Sequence, residues 1–162
     1  MFIFPGKQEK EKKIEQLLLE NYNRYYRLAM SYVHNEADAG DIVQNGAYKA
    51  ILHSGDLKEP GYAATWLYRV MLNEIFRHLQ KRQEYSYEEL MTESGTEDSY
   101  ENIDLCKALD AMAPEDKAVI ELRYFEDCKL EEIAQILGEN VNTVKSRLYR
   151  GLKKLRMELG EE

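Results

Sequence analysis

Residues 129–148 read KLEEIAQILGENVNTVKSRL. Leu130, Ile133, Ala134 and Leu137 recur at three- and four-residue spacing, so they share one face of a helix. Gly138 suits the left-handed residue that ends such a helix. Asn142 or Thr143 offers a side-chain oxygen to cap the next one. Val144, Leu148 and Leu152 then turn inward at four-residue spacing, with Leu155 and Leu159 after them. Residues 143–156 hold Lys145, Arg147, Arg150, Lys153, Lys154 and Arg156 and no acid, and these cations fall mostly on the other face. Ala134 is small where the two helices must approach. Together these features lay out a helix-turn-helix. Early residues of its second helix would meet base edges in a major groove, while cations further along would hold phosphates. A plain helical hairpin with a solvated basic face has the same apolar pattern. The acid-free run of cations favours nucleic acid.

Upstream, Pro114 with Glu115 and Asp116 makes a good helix start. Val119, Ile120, Leu122 and Tyr124 follow it, and Ile103, Lys107, Leu109, Asp110 and Met112 fit a short helix before it. Before that lies an acidic stretch, residues 84–104. It contains Glu84, Glu88, Glu89, Glu93, Glu97, Asp98, Glu101 and Asp104 and no lysine or arginine. Those acids equal the net charge of the whole chain, −8. An acidic balance argues against a nucleic-acid partner only on average: the rest of the chain is neutral and its basic charge is concentrated. With Ser86, Thr92, Ser94, Gly95, Thr96 and Ser99 interspersed, the stretch reads as a flexible linker between domains.

The first part of the chain also reads as helices. Leu18, Tyr22, Tyr25, Ala29 and Tyr32 form one face of a long helix from about Glu11. Residues 38–51 form a second, with Ile42, Val43, Ala47 and Ile51 as its apolar stripe. Gly46 within it costs about 1 kcal/mol relative to alanine. Residues 53–61 are loop by their Gly, Pro and Asp content. A third helix is predicted over 62–82, with Trp66, Leu67, Val70, Ile75 and Leu79 as core candidates. The expected fold is therefore all-α, with two small helical domains, residues 1–83 and 105–162, joined by the linker.

Composition excludes several classes. The chain has 162 residues, 44% hydrophobic and 32% charged, which suits a globular protein. No apolar run approaches the ~18 residues of a membrane span. Met1 to Pro5 is apolar and precedes a charge run, the reverse of a secretory signal, so a cytoplasmic location is expected. Cys106 and Cys128 read as half-buried thiols rather than a disulfide framework. His34, His53 and His78 stand apart with no partner at ligand spacing, so neither a metal site nor a nucleophilic triad is expected. Without a phosphate loop or paired acid motif, no enzyme and no cofactor is expected.

Over residues 14–159 the chain resembles the extracytoplasmic-function (ECF) group of bacterial RNA polymerase sigma factors. Asp41-Ile42-Val43-Gln44 is similar to that group's polymerase-binding segment. Thr65 to Val70, with Asn73, is similar to its promoter-melting helix. Glu132-Ile133-Ala134, Leu137-Gly138 and Thr143 to Arg150 are similar to its terminal helix-turn-helix. The resemblance implies that Asp41, Gln44, Asn45 and Lys49 bind core RNA polymerase at the clamp helices of its largest subunit. It implies a base of the minus-ten element flipped into the loop of residues 53–64, with Trp66, Arg69, Asn73, Arg77 and Lys81 on that DNA. Thr143, Lys145, Ser146, Arg147, Tyr149, Arg150 and Lys153 would serve the minus-thirty-five element. Further implied partners are the flap of the second-largest polymerase subunit and an anti-sigma factor that could hold the protein at the membrane, with no direct membrane insertion. The linker would thread into the polymerase along the path of the emerging RNA. Its reach of at most ~70 Å matches two turns of DNA, ~68 Å. The alternatives are a free-standing helix-turn-helix transcriptional regulator, which would bind DNA alone, and a protein-interaction module.

Overall fold

The structure is a computed structural model, and it describes residues 7–85 and 100–160. Every regular element among them is helical. The chain forms two compact units. The first holds α1 (Lys7–Val33), α2 (Glu36–Leu52) and α3 (Ala63–Tyr85). The second holds α4 (Tyr100–Asp110), α5 (Pro114–Tyr124), α6 (Leu130–Leu137) and α7 (Val141–Glu158). Helix thus runs into both ends of the acidic stretch, and residues 86–99 of the expected linker lie outside the described residues.

In the first unit the three helices pack against one another. Ile14, Leu18, Tyr25, Leu28, Ala29 and Val33 of α1 are buried with Ala39, Ile42, Val43 and Ala50 of α2 and Leu67, Met71, Leu72 and Ile75 of α3. Each large side chain among them gains about 1.5–3 kcal/mol from leaving water. Tyr22, expected on this inner face, is 44% exposed. The reason is local. Asn21 is non-helical (φ −118°, ψ 17°), and its Nδ2 donates to the Leu17 carbonyl at 2.9 Å. That side-chain bond competes with the helical ladder and kinks α1. Tyr22 instead stacks on Tyr26, ring centroids 6.4 Å apart.

His34 takes a left-handed conformation (φ 53°) that ends α1, and Asn35 caps α2 by accepting from Asp38 N at 2.9 Å. Two short 3₁₀ turns, Ser54–Asp56 and Pro60–Tyr62, fill the expected loop. Gly46 has a packing reason: a Cβ there would lie 2.5 Å from Met71 Sδ, so its absence lets α2 approach α3. Trp66, Val70 and Leu79, expected in the core, are only half-buried. Their side chains fall at the margin of the α3 face that Leu67, Met71 and Ile75 bury.

In the second unit, α5 and α7 pack around Leu109, Met112 and Ile120, with Leu148, Leu152 and Leu155 of α7 laid against them. Ile133, Ala134 and Ile136 of α6 are buried, and Leu130 and Leu137 half-buried. Gly138 ends α6 at φ 68°, as its type predicts. The cap of α7 differs from expectation: neither Asn142 nor Thr143 but Asn140 fills it, its side chain accepting from Thr143 N at 2.8 Å. The turn is shorter than the sequence suggested, so the capping position falls earlier. Leu159, expected inward, is past the core at the end of α7 and 43% exposed. Nor are the thiols alike: Cys106 is exposed and Cys128 buried. Among the described residues, no helix is long and apolar enough to cross a membrane.

Candidate nucleic-acid interface

The outer face of α7 follows from the helix period. Asn142, Lys145, Tyr149, Lys153 and Arg156 recur every three or four residues, with Ser146 beside Lys145, and all are exposed. Tyr149 presents a ring that is 77% exposed. Thr143 is half-buried beside its capping bond. Of the expected contact residues, Lys145, Ser146, Tyr149, Arg150 and Lys153 thus share a solvent-facing surface.

The arginines are placed differently. Asp116, in the first turn of α5, is buried. Its Oδ2 accepts from Arg150 Nε at 2.8 Å, and its Oδ1 from Arg150 Nη2 at 2.9 Å and from Arg147 Nη1 at 3.2 Å. Arg147 Nε reaches Glu139 Oε2 in the turn at 3.1 Å. Hydrogen bonds from Arg150 hold the Asp116 carboxyl below the usual carboxylate range; burial opposes them, and Arg147 adds to them. Burial also works against the charge of Arg147, and the carboxylates of Glu139 and Asp116 outweigh it. Arg147 therefore ties the turn of the helix-turn-helix to α5. Lys154 donates to the Ala111 carbonyl at 2.7 Å, at the end of α4. Among the described residues, Lys145, Lys153 and Arg156 have no ion-pair partner.

In the first unit, Trp66, Arg69, Asn73, Arg77 and Lys81 share one face of α3 at three- and four-residue spacing. A pocket of ≈ 290 Å³ opens on that face, lined by Trp66, Val70, Asn73, Glu74 and Arg77 of α3 and by Lys49 and His53 of α2 and its end. Arg69 and Lys81 are exposed along the same face, outside the pocket. Glu74 is buried, forms an ion pair with Lys49, and stands 3.8 Å from Arg77. Asp41, Gln44 and Asn45 are exposed together on α2. Lys49, expected beside them, is half-buried on the pocket side.

Two exposed apolar side chains extend the face of Asp41, Gln44 and Asn45: Tyr48, 67% exposed, and Leu52, 51% exposed. The signal for them was the spacing 41, 44, 45, 48, 52. Asp116, Glu74 and Glu139 were also missed. Asp116 and Glu74 pair with Arg147, Arg150 and Lys49 across 25 residues or more, and Glu139 meets Arg147 only across the turn between two helices, so helix periodicity did not point to them.

Residues 17–85 match sigma-70 region 2, and residues 104–155 match sigma-70 region 4. The chain belongs to the sigma-70 family. RNA polymerase sigma factor SigV of Bacillus subtilis is 39% identical over 160 residues, 96% of each chain. ECF RNA polymerase sigma factor SigE of Mycolicibacterium smegmatis is 30% identical over 168 residues, 96% of this chain and 65% of SigE. Within the family the chain is thus an ECF sigma factor. The fold of the sigma factor RpoE from Bartonella quintana, solved in complex with the anti-sigma factor NepR, matches at a TM-score of 0.75 and 23% identity, over 92% of this chain and 98% of RpoE. CnrH, solved with the cytosolic domain of CnrY, matches at 0.70 and 24% identity, over 91% of this chain and 87% of CnrH. Matches to both sigma regions decide against a free-standing helix-turn-helix regulator: this protein is a promoter-specificity subunit of RNA polymerase.

Proposed function

We propose that this sigma factor directs initiation through three surfaces. The α2 face of Asp41, Gln44, Asn45, Tyr48 and Leu52 docks on the clamp helices of the largest subunit of core polymerase. The pocket on α3 receives a base extruded from the minus-ten element, with Arg69 and Lys81 along the single-stranded backbone. The outer face of α7 enters the major groove of the minus-thirty-five element with Lys145, Ser146, Tyr149 and Arg150, while Lys153 meets phosphate. The second unit also leans on the flap of the second-largest subunit. No step in this scheme is catalytic.

The observation that carries the reading is the pocket. An extruded base costs a few kcal/mol of unstacking and needs a shaped cavity with an aromatic face, polar groups for its edge, and cations for its phosphate. Trp66, Asn73, Lys49 and Arg77 supply those types around one cavity. Lys49 then belongs with promoter DNA rather than with polymerase. Each unit is small and binds DNA weakly alone, and anchoring both on one polymerase makes the second contact intramolecular. The net charge of −8 discourages binding of the free protein to random DNA.

An anti-sigma partner is supported by the solved relatives, RpoE with NepR and CnrH with the cytosolic domain of CnrY. A protein of that kind would cover the α2 face and hold this chain in the cytoplasm or at the membrane. The test is transcription by reconstituted holoenzyme on a promoter selected from random DNA. Trp66→Ala and Asn73→Ala should block strand opening while leaving closed-complex binding. Lys145→Ala and Tyr149→Ala should weaken closed-complex binding itself. Normal opening by the first pair would remove the pocket from the mechanism.

A further inference from the structure

Asp116 stands apart from the groups assigned so far. It is buried, it carries charge, and among the described residues its side chain is held by two arginines of α7. Arg150 gives it two donors in a side-on pair, through Nε and Nη2. A guanidinium has five N–H donors in a rigid planar fork. With Nε and one Nη2 hydrogen committed, both Nη1 hydrogens and the other Nη2 hydrogen remain. One Nη1 hydrogen and that Nη2 hydrogen point off the outer edge of the fork, and the second Nη1 hydrogen points back beside Cδ. The Arg150 side chain is 62% exposed, so that edge is open to a ligand.

Its mounting is rigid. The next residue, Gly151, is buried where α7 crosses α5, and a Cβ there would lie 3.1 Å from Ile120 Cγ1. Arg150 therefore leaves α7 beside a residue packed closely on the helix that carries Asp116. An arginine without such a partner samples many rotamers and must be ordered on binding. One held by a buried carboxylate is already ordered, and site residues locked by a supporting shell discriminate best.

We propose that Asp116 is a positioning residue for promoter recognition: it clamps the inner edge of Arg150 and presets the outer Nη1/Nη2 edge for the paired acceptors O6 and N7 of a guanine in the minus-thirty-five element. This rests on α7 being the reading helix. Bidentate arginine to O6/N7 is the geometry that separates guanine from the other bases in a major groove. Arg147 has a different task. Its fork is committed to Asp116 and Glu139 together, and it holds the turn rather than a base.

The experiment uses full-length protein in holoenzyme with core polymerase. A minus-thirty-five element is selected from random DNA, and binding is measured to every single-base variant of it at several salt concentrations. Asp116→Asn should lower the preference for guanine at one base pair about tenfold, leave the other positions unchanged, and leave the salt slope unchanged. Asp116→Glu keeps the charge and should relax the same position less; it carries the test if Asp116→Asn does not fold, and an unchanged profile then overturns the idea. Glu139→Gln weakens one of the two ties on Arg147, leaves the Asp116–Arg150 pair in place, and should leave the base profile intact. Relaxation by Glu139→Gln at the same position would mean general loosening and would overturn the proposal. So would a uniform loss with the salt slope falling by about 1, the mark of a phosphate contact. Arg150→Ala and Lys145→Ala separate the role of Asp116 from the role of α7 as the reading helix. If Arg150→Ala relaxes one position and Asp116→Asn does not, the proposal fails alone. If neither Arg150→Ala nor Lys145→Ala affects binding, the reading of α7 fails with it.

Discussion

Removing the cap of α7 should destabilise the second unit, and removing the neighbouring asparagine should not. Asn140 sits at φ −82° and ψ 162°, a conformation alanine takes without strain. Asn140→Ala therefore costs only what the side chain supplies, its 2.8 Å bond from Thr143 N. Loss of such a cap costs about 1 kcal/mol, within a range of about 0.5–2. For a domain of this size that corresponds to a fall in Tm of about 4–8 °C. Asn142 lies inside the first turn of α7, exposed. Asn142→Ala exchanges a modest helix former for the best one and should be neutral or stabilising by up to about 0.7 kcal/mol. Thermal unfolding followed by circular dichroism reads the stability, and amide exchange at residues 143–146 shows where it is lost. The same turn carries Lys145 and Ser146, so 1 kcal/mol of fraying should weaken minus-thirty-five binding by up to about fivefold. Equal losses from both variants, or a change below about 0.3 kcal/mol for Asn140→Ala, would refute the assignment of the cap.

Two further outcomes follow from the packing. Because Arg150, against burial, and then Arg147 lower the native value of Asp116, its carboxylate adds stability above its unfolded value of about 3.9 and loses it as pH falls through the native one. Acid unfolding of the second unit should include this component, and Asp116→Asn should abolish it; identical acid curves would contradict the pairing. At Gly46, leucine would gain about 1 kcal/mol in helix propensity but must displace the buried Met71, at a cost of about 1–3 kcal/mol or more. Gly46→Leu should therefore lower the Tm of the first unit, and a rise in Tm would show that α2 and α3 are not in close contact there.

The parts of the fold that rest on local pattern were legible in the sequence. Val144, Leu148 and Leu152 announce the inner face of α7, and Gly138 announces the end of α6. The exposed residues of α7 and the shared face of Trp66, Asn73 and Arg77 follow from the same period. Misreadings have local physical causes. Residues 140–143 offer three side chains able to cap, and the length of the turn, invisible in the sequence, selects Asn140. One kink at Asn21 moves Tyr22 out of a stripe that otherwise keeps its phase. What stayed hidden is long-range pairing. Lys49 meets Glu74 across 25 residues, and Asp116 meets Arg147 and Arg150 across 31 and 34. Charge alone says that these groups are present, and only the fold says which carboxylate each cation faces.

The most direct measurement of the central claim is capture of purified bacterial core polymerase by this protein, beside an Asp41→Ala, Gln44→Ala double variant and a Tyr48→Ala, Leu52→Ala double variant. All four side chains are exposed, so both variants should keep their helical content and Tm. The wild type should capture polymerase stoichiometrically, and each folded variant at least tenfold more weakly. Full capture by both variants would contradict the assignment of α2 as the docking face. Failure of the folded wild type to capture polymerase would contradict the account as a whole.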